Sequence, residues 1–217
     1  MNTLKQKGFT LVEIAIVLVI VGLLIGGVLK GQEMITNAKL KRVESDNAGL
    51  AAAMFSYQDR YLQLPGDDSS AADRFTVYAA IDPVNGDGTG TVDGVWNVAP
   101  TGDVTAALTA ETNLFFAHLR ASGLVPGDGV DDTKPSNAYG GQIGIQDGAL
   151  LISGHVTVFG AIDGPIAKIL ENRLDDSDTG TGRIQADVTG VGMAAGAAST
   201  AAAAYDDAQR YDMAFRL

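Results

Sequence analysis

Hydrophobic positions follow two different patterns in the first sixty residues. From Phe9 to Leu29 the chain is apolar on every side, with Glu13 its one charge. About 20 apolar residues are enough to cross the hydrocarbon core of a bilayer as a helix. From Lys30 to Tyr61 there is no proline, and Ile35, Ala38, Val43, Leu50, Met54, Tyr57 and Tyr61 recur mostly at steps of three, four or seven. Lys39, Lys41, Arg42, Glu44, Asp46 and Asp59 lie largely off that stripe. This is the period of an amphipathic helix. No breaker separates the two patterns, so one helix is predicted from Phe9 to Tyr61, roughly 75–80 Å long at 1.5 Å per residue. Gly22, Gly26, Gly27 and Gly31 stand near the junction. Each costs about 1 kcal/mol relative to Ala in a helix, which makes residues 22–31 the expected place for a bend or an unwound turn.

Leu64-Pro65-Gly66-Asp67-Asp68 stops the helix, and Asp68 to Ala72 can cap a short following one. Residues 82–103 are a Gly/Asp/Thr loop region around Trp96. Glu111 to Leu124 reads as an amphipathic helix with Leu114, Phe115, Ala117, Leu119 and Ala121 as core candidates, followed by a loop from Gly127 to Gly141. β-Branched runs at 142–146, 149–153 and 155–159 predict three short antiparallel strands. Pro165 to Leu174 predicts a helix with proline in its first turn. An acidic turn covers 175–182, a strand 183–188, a Gly/Ala/Ser/Thr loop 192–204 and a closing strand 210–217. The fold class is α+β. The chain divides into a leader, 1–8, an apolar helix half, 9–29, an amphipathic half, 30–61, and a globular part, 62–217.

The chain has 217 residues and a formal charge of -11, and no cysteine. Beyond Val43, 9 Lys and Arg stand against 24 Asp and Glu, a net of -15. Such a surface repels nucleic acid and anionic lipid, and no nucleic-acid partner is expected. Without cysteine there are no disulfides, thiolate metal sites or cysteine nucleophiles. His118 and His155 show no paired ligand spacing and read as structural or surface residues. Glycine-rich stretches lack a Walker or dinucleotide pattern. No catalytic residue is assigned, and the chain reads as a non-enzyme.

Glu13 asks for a partner, because an acid within a membrane segment costs on the order of 3 kcal/mol even on a lenient insertion scale. Cutting the chain after Gly8 would remove Lys5 and Lys7 and expose a Phe9 amine one helical turn from Glu13. Between staggered copies, Glu13 of one chain could meet the Phe9 amine of another and compensate both charges. A snorkelling surface charge is the plainer alternative for so early a position.

Gly8-Phe9-Thr10-Leu11-Val12-Glu13, with its basic leader and apolar continuation, closely resembles the amino terminus of type IV prepilins and type II secretion pseudopilins. The likeness covers residues 5 to about 60. It implies a prepilin peptidase that cuts after Gly8 and an N-methyltransferase that acts on Phe9. It also implies that Glu13 aligns copies or related subunits in a helical filament raised by an inner-membrane assembly platform. The fold it implies is a small antiparallel sheet packed on the second half of the helix. The location it implies is the bacterial inner membrane, with the globular part outside the cytoplasm, then a pilus or pseudopilus in the periplasm or at the cell surface. The chain departs from many pilins in lacking a carboxyl-terminal disulfide and in carrying Lys30 where they have a helix proline. The other reading is a membrane-anchored or secreted monomeric binding protein or adhesin. Lys30, Lys39, Lys41 and Arg42 beyond the membrane run against a simple positive-inside count.

No cofactor is required by these patterns, but calcium is a candidate. Asn85, Asp87, Thr89 and Asp93 have spacings like positions 1, 3, 5 and 9 of a calcium loop, with Gly90 at the turn. Trp96 occupies position 12, where the bidentate acid belongs, which favours a plain polar loop. Asp175, Asp176 and Asp178 form a weaker second candidate.

Overall fold

The computed structural model describes residues 10–78, 84–104, 110–190, 192–200 and 204–217. The leader, Gly8 and Phe9 lie outside the described residues. Among these residues the order is α1 (Leu11–Tyr61), α2 (Ala71–Arg74), a 3-10 turn (Thr76–Tyr78), α3 (Glu111–Ala121), β1 (Ile143–Ala149), β2 (Ile152–Asp163), α4 (Gly164–Leu174), β3 (Ile184–Val188) and β4 (Arg210–Arg216). The chain forms two compact units, Met1–Lys41 and Arg42–Leu217.

In the first unit α1 is apolar and exposed over its first five turns. Residues 11–30 are exposed throughout, and the helix is long and apolar enough to cross a membrane. Gly22, Gly26, Gly27 and Gly31 stand in unbroken helix, and a methyl group added at any of them would meet open space. The expected break is absent because every backbone group there keeps its helical partner, and a glycine's cost is small beside a lost turn of hydrogen bonds. Ile35 and Ala38, expected on the buried stripe, are exposed.

The larger unit begins with the last five turns of α1, which bury Val43, Leu50, Ala53, Met54 and Tyr57. The helix ends where Leu62 turns left-handed at φ 56°, its N–H donating to the Gln58 carbonyl at 2.8 Å. Just beyond, the Tyr57 hydroxyl donates to Asp68 Oδ2 at 2.7 Å, which folds the following segment back along the helix.

The sheet is antiparallel in the order β1-β2-β4-β3. Thr157 in β2 stands opposite Ile145 on one side and Phe215 on the other. Alternation along the strand gives each face its own core. On one face Val156, Val158 and Ala214 pack with Trp96, Ile152 and Met193. On the other, the Thr157 hydroxyl donates to the Asn47 amide oxygen of α1, and Phe159 meets Phe215 edge-on at 5.2 Å. At Gly160 an added Cβ would lie 2.7 Å from Trp96 Cη2, so only glycine lets the indole lie on the sheet.

Two strands stand where the sequence predicts three. β2 runs through Gly154, at φ 85°, and past a register shift between Phe159 and Ile162, where Ala161 has φ 56°. Glycine within a strand here marks a distortion rather than a stop. α3 also differs from its amphipathic expectation: Glu111 to Leu119 are all buried. Its polar side chains find main-chain partners, Thr112 Oγ1 donating to the Ile145 carbonyl and Asn113 Nδ2 to that of Ala99.

Phe159 is fully buried and Leu151 is 58% exposed. Phe159→Ala should lower the unfolding free energy by about 3–5 kcal/mol, and Leu151→Ala by less than about 0.5 kcal/mol. Denaturant unfolding followed by Trp96 fluorescence measures both; equal losses would contradict this packing.

Candidate functional site

Glu13 lies in the first turn of α1. Its Oε2 accepts from the Thr10 N–H at 2.8 Å and from the Thr10 hydroxyl at 2.9 Å, and the Glu13 N–H donates to Thr10 Oγ1 at 3.2 Å. This is a reciprocal capping box, in which the acid and the hydroxyl satisfy amides that the helix start leaves without partners. Within a single chain, Glu13 therefore already has donors. Further along, the exposed Lys30 and Glu33 pair at 2.8 Å.

The four residues of the possible calcium loop are held mainly through their amides. Asp87 N–H donates to Glu111 Oε1 at 2.8 Å and Asp93 N–H to Glu111 Oε2 at 2.9 Å. Thr89 N–H donates to Asp67 Oδ1 at 2.9 Å, and Gly90 N–H to Asp67 Oδ2 at 2.8 Å. Asn85 Oδ1 accepts from the Ala72 N–H at 2.8 Å, and Asp93 Oδ1 accepts from the Thr91 hydroxyl at 3.1 Å. Burial raises the carboxyls of Asp67 and Glu111 above their ordinary values, against the opposing pull of these amides. Asp87 is held lower by the Thr89 hydroxyl and amide. Among the described residues, two groups of three carboxylates gather closely enough to share an ion: Asp67 with Asp87 and Glu111, and Glu171 with Asp175 and Asp176. The second brings in Glu171 where the sequence pattern suggested Asp178.

His118 is wholly buried in α3. Its Nδ1 accepts from the Gly66 N–H at 3.0 Å, and its Nε2 therefore carries the proton that meets the Val84 carbonyl at 2.8 Å. With both nitrogens engaged and the ring stacked on Tyr57, this imidazole joins the end of α1 to α3 and the loop after residue 84. His155 Nδ1 lies 4.0 Å from Asp147 Oδ1.

Comparison with protein families matches residues 3–29 to the prokaryotic N-terminal methylation motif. The chain carries the prepilin signature. No curated protein and no solved structure gives a significant match. The signature supports a precursor of the pilin-like or pseudopilin kind, and the motif is that of structural proteins rather than of an enzyme family. It implies processing by a prepilin peptidase, assembly with other pilins and anchoring in a membrane by the apolar helix before assembly. The α+β architecture, a long amino-terminal helix with a four-stranded antiparallel sheet, is the pilin-like arrangement. Gly8 and Phe9, the expected cut and new terminus, lie outside the described residues.

Several residues at these sites went unread in the sequence. Thr10 was legible, since Thr-x-x-Glu before an apolar run is a capping-box pattern. Asp67, Asp68 and Glu111 carried no such signal. The first two were read as part of a helix stop and the third as a helix start, and only the fold brings them to the 86–93 loop.

Burial lowers the His118 pKa to about 4. The unfolded chain, with an ordinary value of about 6.5, binds the proton first on acidification. Stability from this group is thus complete above pH 6.5 and is lost as the pH falls towards 4, about 2 kcal/mol of it between pH 7 and 5. In His118→Gln that component of the pH dependence should vanish, as read by urea unfolding at the two pH values. Equal slopes in variant and wild type would contradict it.

Proposed function

We propose that this chain is a structural subunit of a type IV pilus or a type II secretion pseudopilus. The methylation motif at residues 3–29, running directly into an exposed and unbroken apolar helix, carries the reading. In this reading the leader, residues 1–8, is removed after Gly8, and the amine of Phe9 becomes N-methylated. The chain waits in the inner membrane with its globular part outside the cytoplasm. Its apolar helix then exchanges lipid for the helices of other subunits, a step driven by packing because both surroundings are apolar. Glu13 supplies the register. The Phe9 amine of a neighbouring subunit offers it a positive partner, so that two charges which are costly alone compensate each other inside the bundle.

Intact mass of the mature chain tests the processing. A chain starting at N-methylated Phe9 is expected; a start near Val28, or retention of Met1, would point to a secreted or permanently anchored monomer. Glu13→Ala should leave cleavage in place while incorporation into filaments, measured in a sheared or purified filament fraction, drops severalfold. Wild-type incorporation of that variant would remove Glu13 from the mechanism.

A further inference from the structure

The end of α4 gathers three acids in one place. Glu171 sits in the last turn of the helix with its side chain fully buried, and Asp175 and Asp176 follow at once. The Asp175 N–H donates to the Glu171 carbonyl at 2.8 Å, which closes the helix, and Ser177 at φ 75° turns the chain back. A carboxylate oxygen from each of the three acids lies within 4.8 Å of the others. No ion pair among the described residues involves any of them. The carbonyl end of α4 adds its own negative potential.

Glu171 supplies an independent sign. Its Oε2 accepts from the Tyr205 hydroxyl at 2.8 Å, but Oε1 is shut off from solvent and has no hydrogen-bond partner. A buried carboxylate oxygen without a donor is costly, and such groups are found paired or coordinating metals. The other two acids are already held in place. Asp175 Oδ2 accepts from the Ile184 N–H at 2.6 Å, while Asp176 accepts from the Asp178 N–H at 3.0 Å and the Thr181 hydroxyl at 2.6 Å. At Gly182 an added Cβ would lie 2.1 Å from Asp175 Oδ2, so glycine lets the turn close around the site. Asp176 is exposed and provides the way in.

We propose that Glu171, Asp175 and Asp176 bind one divalent cation, calcium by preference, at the carboxyl end of α4. The donors are all hard oxygens, with neither imidazole nor thiolate, and three carboxylates leave several positions to water, as flexible calcium sites allow. The ion would tie the end of α4 to the turn leading into β3. Through Tyr205 it would also hold the segment that precedes β4.

The test uses the full chain in detergent micelles, stripped of metal with a chelator. Calorimetric titration should show one calcium bound at this site. At calcium a hundredfold above the dissociation constant, the melting temperature should rise by about 5–10 °C. Asp176→Asn, at an exposed position, should weaken binding about tenfold or more and leave melting in chelator unchanged. Glu171→Gln, which keeps an acceptor for Tyr205, should abolish binding. Absence of any calcium response in the wild type would overturn the proposal. So would a response retained by Asp176→Asn and lost in Asp87→Asn, which would place the ion beside Asp67 and Glu111 instead.

Discussion

A carboxylate taken out of water calls for donors, and in the larger unit of this chain most of them are main-chain amides. Asp67 and Glu111 clasp the 86–93 loop in this way. Asp132 accepts from the amides of Thr101 and Gly102 at 2.9 and 2.6 Å, and Asp212 from those of Ala161 and Gly190 at 2.9 and 3.3 Å. Asp68 collects the Tyr57 hydroxyl, the Ser70 amide and the Arg74 guanidinium. All five acids are nearly or fully buried. In loops without disulfides these bonds act together with buried side chains such as Val92, Trp96 and Met193 to fix each loop on the four-stranded sheet.

The amino-terminal unit is built on the opposite principle. Along Leu11 to Leu29 the helix satisfies its backbone internally and leaves its side chains for an apolar environment to cover. Glu13 interrupts that surface, yet its donors come from Thr10 in the same turn. In a membrane the acid would thus have part of its hydration already replaced. Pairing with another subunit would then be an exchange of partners rather than the rescue of an unsatisfied charge. Geometry, more than net energy, would be what such an exchange selects.

Elements with a clear period or a breaker were legible in the sequence. α1 ends at Tyr61 where Pro65 and Gly66 foretell it, and α4, β3 and β4 lie within a residue of their expected bounds. Errors arose where a local signal has two meanings. Gly154 looks like punctuation but lies inside β2, and glycines in α1 look like a hinge but are only gaps in its surface. α3 reads as amphipathic because its Glu111, Thr112, Asn113 and His118 are polar, and no periodicity shows that each will find a buried partner. The acidic clusters were harder still, since Asp67, Asp87 and Glu111 are joined only by the fold. At the amino terminus the signal is local and contiguous instead, and residues 3–29, which match the methylation motif, stand together in the sequence.

The clasp around the 86–93 loop has a consequence for how this surface can vary. Asp87, Thr89 and Asp93 are gripped by their N–H groups, which every residue except proline possesses, while Gly90 at φ 88° must keep its backbone freedom. The outward side chains can therefore be rewritten while the two acids beneath them stay fixed. A loop of this kind can drift in charge and shape from one lineage to the next and still return to the same place on the fold.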